Sequence, residues 1–373
     1  MLTPYDDYPL HQVPLPLAHA GEGHPDFYDR FWFNGYTEDT FFAVAMGFYP
    51  NRGIIDAAFS TVTDGEQRSV FASGRIPADR SQTELGPIRI EVLEPLRRNR
   101  IVVDAPDQGL KADITFTART AAFEEPRQTR YRDNRLWMDV TRATSLGAWE
   151  GVITVNGKEI PISSAVTRGT KDRSWGVRAI GDPTPRAPEP GGPQLFFLWA
   201  PLNFDDECLH YMLFEDSEGE PWAKAGAILP VIGENDSVTP EVNDATLLED
   251  MQHKIDWAPG LRRSQAASLT FTNTRTGSAE RVELEPLLTF RMRGAGYGHP
   301  TYKHGTWHGE LVVDGDVHST DELDNLDIPN LHVQQLMRAR WGDRVGLGVL
   351  EQFVIGPHAP TGVTGVNDPP PTS

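Results

Sequence analysis

The chain has 373 residues, 39% hydrophobic and 9% aromatic, which is enough to bury one or two cores and excludes a disordered polymer. Its 34 Lys+Arg against 53 Asp+Glu give a formal charge of −19, so it repels phosphate backbones and anionic lipid; general nucleic-acid binding and a polybasic membrane anchor are excluded. The single cysteine, Cys208, can form neither an internal disulfide nor a Cys-rich zinc site, and it reads as a small buried hydrophobe.

Residues 1–30 form an acidic, Pro-rich N-terminal extension without the basic and apolar regions of a signal peptide. The densest apolar run, LFFLWAP at 195–201, falls far short of the ~20 residues that span a bilayer. These features point to a cytoplasmic protein with no integral membrane association. The 34 Gly and 30 Pro are spread along the whole chain, the punctuation of many short strands. TFFAVAMGFY at 40–49 is apolar almost throughout, as a strand covered on both faces would be. GPIRIEVL at 86–93 and ADITFTA at 112–118 alternate cleanly. Residues 136–143 read as extended, and 149–155 with 158–162 form a hairpin on a type I′ Asn156-Gly157 turn.

A Pro/Gly-rich linker at 179–193 separates a first domain, 31–178, from a second, 194–356. The second half continues with strands at 194–201, 208–215 and 221–228. A short capped helix is expected at 244–252 (DATLLEDMQ). Strands follow at 268–274, 278–284 and 306–313, the last before an Asp-Gly turn, and a terminal hairpin at 333–340 and 345–353 precedes a flexible tail, 357–373. The census predicts an all-β protein: two closed or nearly closed antiparallel barrels in tandem with few short helices, whose closure removes exposed edges.

Three clusters could carry chemistry. FWFNGY at 31–36, with Asp39 and YPNRG at 49–53, fills a core or lends Trp32 and Tyr36 to a cavity. In KDRSWGVR at 171–178, Asp172 and Arg178 either pair across a turn as a domain clamp lidded by Trp175, or face a ligand. GAGYGHPTYKHGTWHG at 294–309 holds His299, His304 and His308 with Tyr297, Tyr302 and Trp307. Three histidines in ten residues admit a metal, loop histidines bound to backbone, or acid–base and anchoring roles; no zinc signature fits, and no metal is assigned. Trp199 and His210 lie on strands of the second half, in its core or on a cavity wall. No Walker loop, dinucleotide fingerprint, nucleophile elbow or EF-hand is present. A ligand-binding protein and a cofactor-free enzyme remain.

FWFNGY…FYPNRG, KDRSWGVR and GYGHPTYKHGTWHGEL together resemble the two-domain, lipocalin-like proteins related to carotenoid 1,2-hydratase (hydroxyneurosporene synthase), the AttH-like group included, from about residue 31 to 353. The resemblance implies two calycin-type barrels and, for some relatives, hydration of isoprenoid double bonds. Asp172, Ser174, Trp175, Gly176 and Arg178 carry over as motif positions. The expectation is a cofactor-independent lyase or isomerase of hydratase type, with a hydrophobic terpenoid-, carotenoid- or polyketide-like substrate in a barrel or between the domains. Asp172, His299, His304 and His308 are the candidate catalytic groups, with Asp39 and Asp56 as further acids. Trp32, Tyr36, Trp175, Arg178, Trp199, His210, Tyr297 and Trp307 are the candidate ligand contacts. A non-catalytic carrier of a lipid-like molecule is the alternative.

Overall fold

A computed structural model describes residues 4–11, 14, 23–77, 81–181, 192–242 and 244–371. Among these the chain forms twenty-three β-strands and short 3-10 turns, with no α-helix. No helix among the described residues is therefore long and apolar enough to cross a membrane.

The first sheet has fourteen strands among the described residues. Its path runs from Leu311–Ser319 through Glu66–Arg75, Ile54–Thr63, Phe41–Tyr49, Phe27–Tyr36, Arg168–Arg178, Arg135–Val155, Leu110–Ala118, Arg98–Ala105 and Ile88–Glu94 to Glu84–Leu85. The sheet curls around one apolar core that gathers side chains from nearly all of these strands, Phe33, Val44, Phe59, Ile88, Ile101, Phe116 and Trp149 among them. Its hydrogen-bonded path does not close. The second sheet does close. Glu207–Glu215 pairs with Pro221–Pro230, and the ladder continues through Thr246–Trp257, Ser264–Asn273, Ala279–Arg291, Val333–Trp341 and Arg344–Ile355. The interrupted strand Leu195–Trp199 and Leu202–Asn203 completes an eight-membered ring. The all-β class holds, as one closed barrel beside a larger curled sheet.

The alternation of strand side chains explains how the two units join. On Phe27–Tyr36, Phe31 and Phe33 enter the first sheet's core, while Tyr28, Trp32 and Tyr36 point to a second core shared with the barrel. Phe197, Trp199, Met212 and Phe214 meet them from the barrel's outer face, while Phe196, Leu198 and Leu213 fill its interior. Phe27–Tyr36 and Phe41–Tyr49 are buried at every position, as the unbroken apolar run at 40–49 requires. Asn34 bolts the seam: its Oδ1 accepts the Thr170 amide at 2.9 Å, and its Nδ2 donates to Gln334 Oε1 of the barrel at 3.0 Å.

Several sequence expectations change. The helix expected at 244–252 is part of the strand Thr246–Trp257; the ring needs a strand there, and tertiary pairing overrides a weak local preference. The Asp314-Gly315 pair makes no turn. It lies inside Leu311–Ser319, which leaves the second half of the sequence to pair with Glu66–Arg75 at the first sheet's edge. The Asn156-Gly157 turn forms, with φ of 49° and 79°. The stretches expected at 136–143 and 149–155 fuse into one 21-residue strand, Arg135–Val155. Residues 357–371, read as the start of a flexible tail, are held by Arg262, which donates to the carbonyls of Val366, Gly365 and Asp368. Most of the expected linker, 182–191, lies outside the described residues.

Asn34→Ala should lower the unfolding free energy by about 1–3 kcal/mol, because Gln334 and the Thr170 amide lose a buried partner. A urea midpoint that falls with unchanged slope would show it.

Candidate functional site

Between the outer face of the barrel and the facing side of the first sheet lies a cavity of about 890 Å³. Three adjacent strands build its first wall. In register, Tyr28, Arg30 and Trp32 lie beside Gly176, Ser174 and Asp172, which lie beside Val140, Arg142 and Thr144. The barrel supplies the opposite wall with Phe197, Trp199, Phe214, His332, Glu351 and Phe353. The loop around Tyr297 and His304 closes one side. The wall is therefore aromatic and apolar, with a few charged groups set into it.

Asp172 is the central one. Burial raises its carboxyl; Arg142 pulls it down and Glu125 pushes it up again, and the result is about 6 against an ordinary 3.8. Its Oδ2 lies 3.3 Å from Arg142 Nε, and its buried Oδ1 has no hydrogen-bond partner among the described residues. Arg142 is shared with Glu125, 3.5 Å away. Burial raises Glu125 too, but Arg142, His210 and a 2.7 Å bond from Gln128 outweigh it and hold Glu125 below its usual range. Of the two carboxylates that share this guanidinium, Asp172 is thus the one that keeps its proton up to about pH 6. Glu351, across the cavity, accepts bonds of 2.6 Å from His332 and from Gln334; they outweigh burial and keep it ionised. The Tyr28 hydroxyl and the indole N–H groups of Trp32 and Trp199 are further buried polar atoms of this cavity without a partner among the described residues.

His304 lines the cavity, but its ring is engaged on both nitrogens. Arg30 donates to Nε2 at 2.7 Å, and Asp56 lies 3.4 Å from Nδ1. Burial, then Arg30, lowers it to about 4, so it is a neutral acceptor. Asp56 also accepts from the Gly305 amide and from Tyr49. His304 is placed to position Arg30 rather than to carry a proton.

The structure brings together Asp172, His304, Trp32, Arg178, Trp199 and Tyr297 around this cavity. It does not bring the other expected residues there. His299 accepts the Thr301 and Tyr302 amides and lies 3.2 Å from Asp316; His308 packs by Tyr302. The three histidines therefore share no ligand sphere. Trp307 is exposed beneath Arg75. Tyr36 is a core residue whose hydroxyl accepts from Asn203, and His210 is buried against Glu125, behind the wall. Asp39 is bound by Thr37 and Thr40 near the surface. Burial pushes the Cys208 thiol up to about 11, which leaves it inert.

Trp175 is displaced by the strand's period. Arg168–Arg178 is a strand with no turn in it, so Asp172, Ser174 and Arg178 face the cavity while Lys171, Arg173 and Trp175 face the other way. The expected Asp172–Arg178 pair is therefore absent: Asp172 leans on Arg142, and Arg178 on Tyr28. On the reverse face the N-terminal segment is buried. Lys171 pairs with Asp7, Arg173 with Asp29 at 2.6 Å, and His11 stacks on Trp175 at 3.7 Å. Asp29 accepts from the His11 amide at 2.7 Å, and Asp6 lies 2.5 Å from its Nε2. Burial disfavours charging His11, and these carboxylates outweigh it, so its pKa rises. Gly176 is required here: at φ 134° a Cβ would sit 2.1 Å from the Asp139 carbonyl oxygen and 2.7 Å from Pro14. Sequence reasoning passed over Tyr28, Arg142, His332 and Glu351; only their register beside the DRSWG strand, or across from it, marks them.

The raised pKa has a sign for stability. The folded chain binds the Asp172 proton more tightly than the unfolded chain, so this group's contribution is full below about 4 and fades as pH rises through about 6. A protonated-carboxyl infrared band should persist to about pH 6, disappear above it, and be missing in Asp172→Asn.

A search of curated proteins finds no match. Among solved structures the chain is similar to a protein from Nitrosomonas europaea provisionally named AttH, at 12% identity and a TM-score of 0.54, over 91% of this chain and 98% of that one. At that identity the likeness establishes the fold alone, and it supports the fold-level part of the resemblance read from the motifs. A family model described as a family of unknown function, DUF8625, matches residues 2–364, and the chain belongs to that family.

Proposed function

We propose that the protein is a cofactor-independent lyase or isomerase of hydratase type, acting on an elongated, unsaturated, isoprenoid-like molecule in the cavity between the two sheets. One observation carries this reading: a buried carboxyl held near pKa 6, with one unpartnered oxygen, on the wall of an aromatic cavity. Hydration needs such a donor. The Asp172 proton would add to one alkene carbon, the π electrons forming the new C–H bond. The cation left on the neighbouring carbon would be met by aromatic faces, with Trp32, Trp199 and Tyr297 at hand. Water oxygen would add to that carbon and return a proton to the Asp172 carboxylate. The net change is alkene plus water to alcohol, and the acid is regenerated. Arg142 would stabilise the transient carboxylate from 3.3 Å.

A carrier reading draws on the same apolar walls and differs in one respect: Asp172 would then serve only to complete the buried charge network. Incubation with a panel of isoprenoid alkenes in heavy-oxygen water separates the two. Label should enter the product at a rate that declines above about pH 6, where Asp172 loses its proton. Asp172→Asn should cut that rate by roughly 10²-fold or more while leaving ligand affinity in place. Ligand binding without label from any alkene of the panel would overturn hydration and leave the carrier.

A further inference from the structure

The chain carries a net charge of −19, yet among the described residues its cavity is lined by Arg132, Arg142, Arg178 and Lys303 against Asp172 and Glu351. Two of these charges are settled by their partners: Arg142 by Glu125 and Asp172, and Glu351 by His332 and Gln334. Arg178 is not. Among the described residues it forms no salt bridge. Its guanidinium lies 4.6 Å from the centre of the Tyr28 ring and 5.6 Å from that of Tyr297. Its neighbours are those two phenol rings, with a hydrogen bond to the Tyr297 hydroxyl, and the cation Arg142, not a carboxylate. Arg30, one strand away, is little better served: it donates to neutral His304, lies 4.3 Å from the Tyr297 ring centre, and its buried Nε has no partner.

A guanidinium taken out of water without an anion is costly, and stacking on tyrosines recovers only part of that cost. Two such groups flank Tyr297 in a ligand-sized cavity. Arg178 and Asp172 share one face of one strand, six residues apart, about 20 Å at the usual rise per residue. Arg178 is thus well removed from the acid, whereas Arg30, beside Ser174 on the neighbouring strand, lies between the two and acts on Asp172.

We infer that the ligand of this cavity is an amphipathic anion whose carboxylate or phosphate monoester head is held by Arg178, with Tyr28 and Tyr297 as its platform, while its apolar chain runs along the aromatic wall toward Asp172. Arg178 presents a planar fork of donors that matches either head. Arg30 adds charge from behind Tyr297. The inference rests on the cavity as the ligand site and not on the hydration step.

The test compares matched probes: hexadecanoate with 1-hexadecanol, and farnesyl phosphate with farnesol. Each is titrated at pH 8, below its micelle concentration, against the intrinsic fluorescence of the full-length protein. At least one anionic probe should bind roughly tenfold or more tightly than its neutral partner, as one charge-assisted pair implies. Which anion shows the larger preference separates a carboxylate ligand from a phosphate one. Arg178→Gln should erase the preference and leave the alcohols' affinity unchanged. Arg178→Lys should retain part of it. In the wild-type protein, added salt should weaken the anions alone, a readout that needs no variant to fold. Equal affinity for anion and alcohol, an equal loss for both in Arg178→Gln, or no binding of any probe would overturn the inference. Head-group preference without label from heavy-oxygen water would sustain it and sink the hydratase reading. Label entering neutral alkenes with no head-group preference would do the reverse.

Discussion

The structure depends on three adjacent strands, Phe27–Tyr36, Arg168–Arg178 and Arg135–Val155, that are covered on both faces. A strand sends successive side chains to opposite sides, so each of these segments must satisfy two unlike environments at once. On one side lie the first sheet's core and the buried N-terminal segment; on the other lie the shared core and the cavity. The charged residues of KDRSWGVR follow from that demand. Lys171 and Arg173 balance Asp7 and Asp29 behind the sheet, while Asp172 and Arg178 serve the cavity in front. A segment that looks like a charged surface loop is one of the most deeply buried in the molecule.

Buried charge on this scale is sustainable only where each group has a defined partner. The chain distributes partners unequally. Glu125 gathers Arg142, His210 and Gln128; Asp29 gathers Arg173 and His11; Glu351 gathers His332 and Gln334. Asp172 gets a share of one arginine and nothing on its second oxygen. The fold thus holds Asp29, Glu125 and Glu351 ionised and leaves Asp172, which faces the cavity, poised to hold a proton. Inequality of this kind, more than the mere presence of acids, distinguishes a reactive group from a structural one.

Much of the fold was legible from local pattern. The apolar run at 40–49 announced a doubly covered strand and Asn156-Gly157 its turn, while DRSWG marked the junction of the two halves as one of several places for a ligand. What escaped depends on distant partners. Nothing within DATLLEDMQ says that a barrel needs a strand there, and Asp314-Gly315 in isolation is a turn signal. Trp175 was assigned to the ligand because its motif faces a ligand; only the period of two, applied to a segment wrongly taken as a turn, places it behind the sheet. Arg142 and Glu351 sit in ordinary strand sequence, and their meaning arises from the register of neighbours far along the chain. The clustered histidines were misleading in the opposite way. His299, His304 and His308 are close in sequence, but His304 is held by Arg30 and Asp56, while His299 and His308 pack about Tyr302, so proximity along the chain did not become convergence on the cavity.

Leu311–Ser319 crosses from the second half of the chain to the edge of the first sheet, where it pairs with Glu66–Arg75 over nine residues. This gives the molecule a folding order that its apparent two-part layout conceals. During synthesis the first sheet emerges with its Glu66–Arg75 edge bare, and it stays bare while more than two hundred further residues are made. An unpaired edge is where a nascent chain meets its neighbours on the ribosome. The first half is therefore not a module that can be finished early and set aside: its last ladder waits for the barrel to be nearly complete, and the two halves reach the native state together.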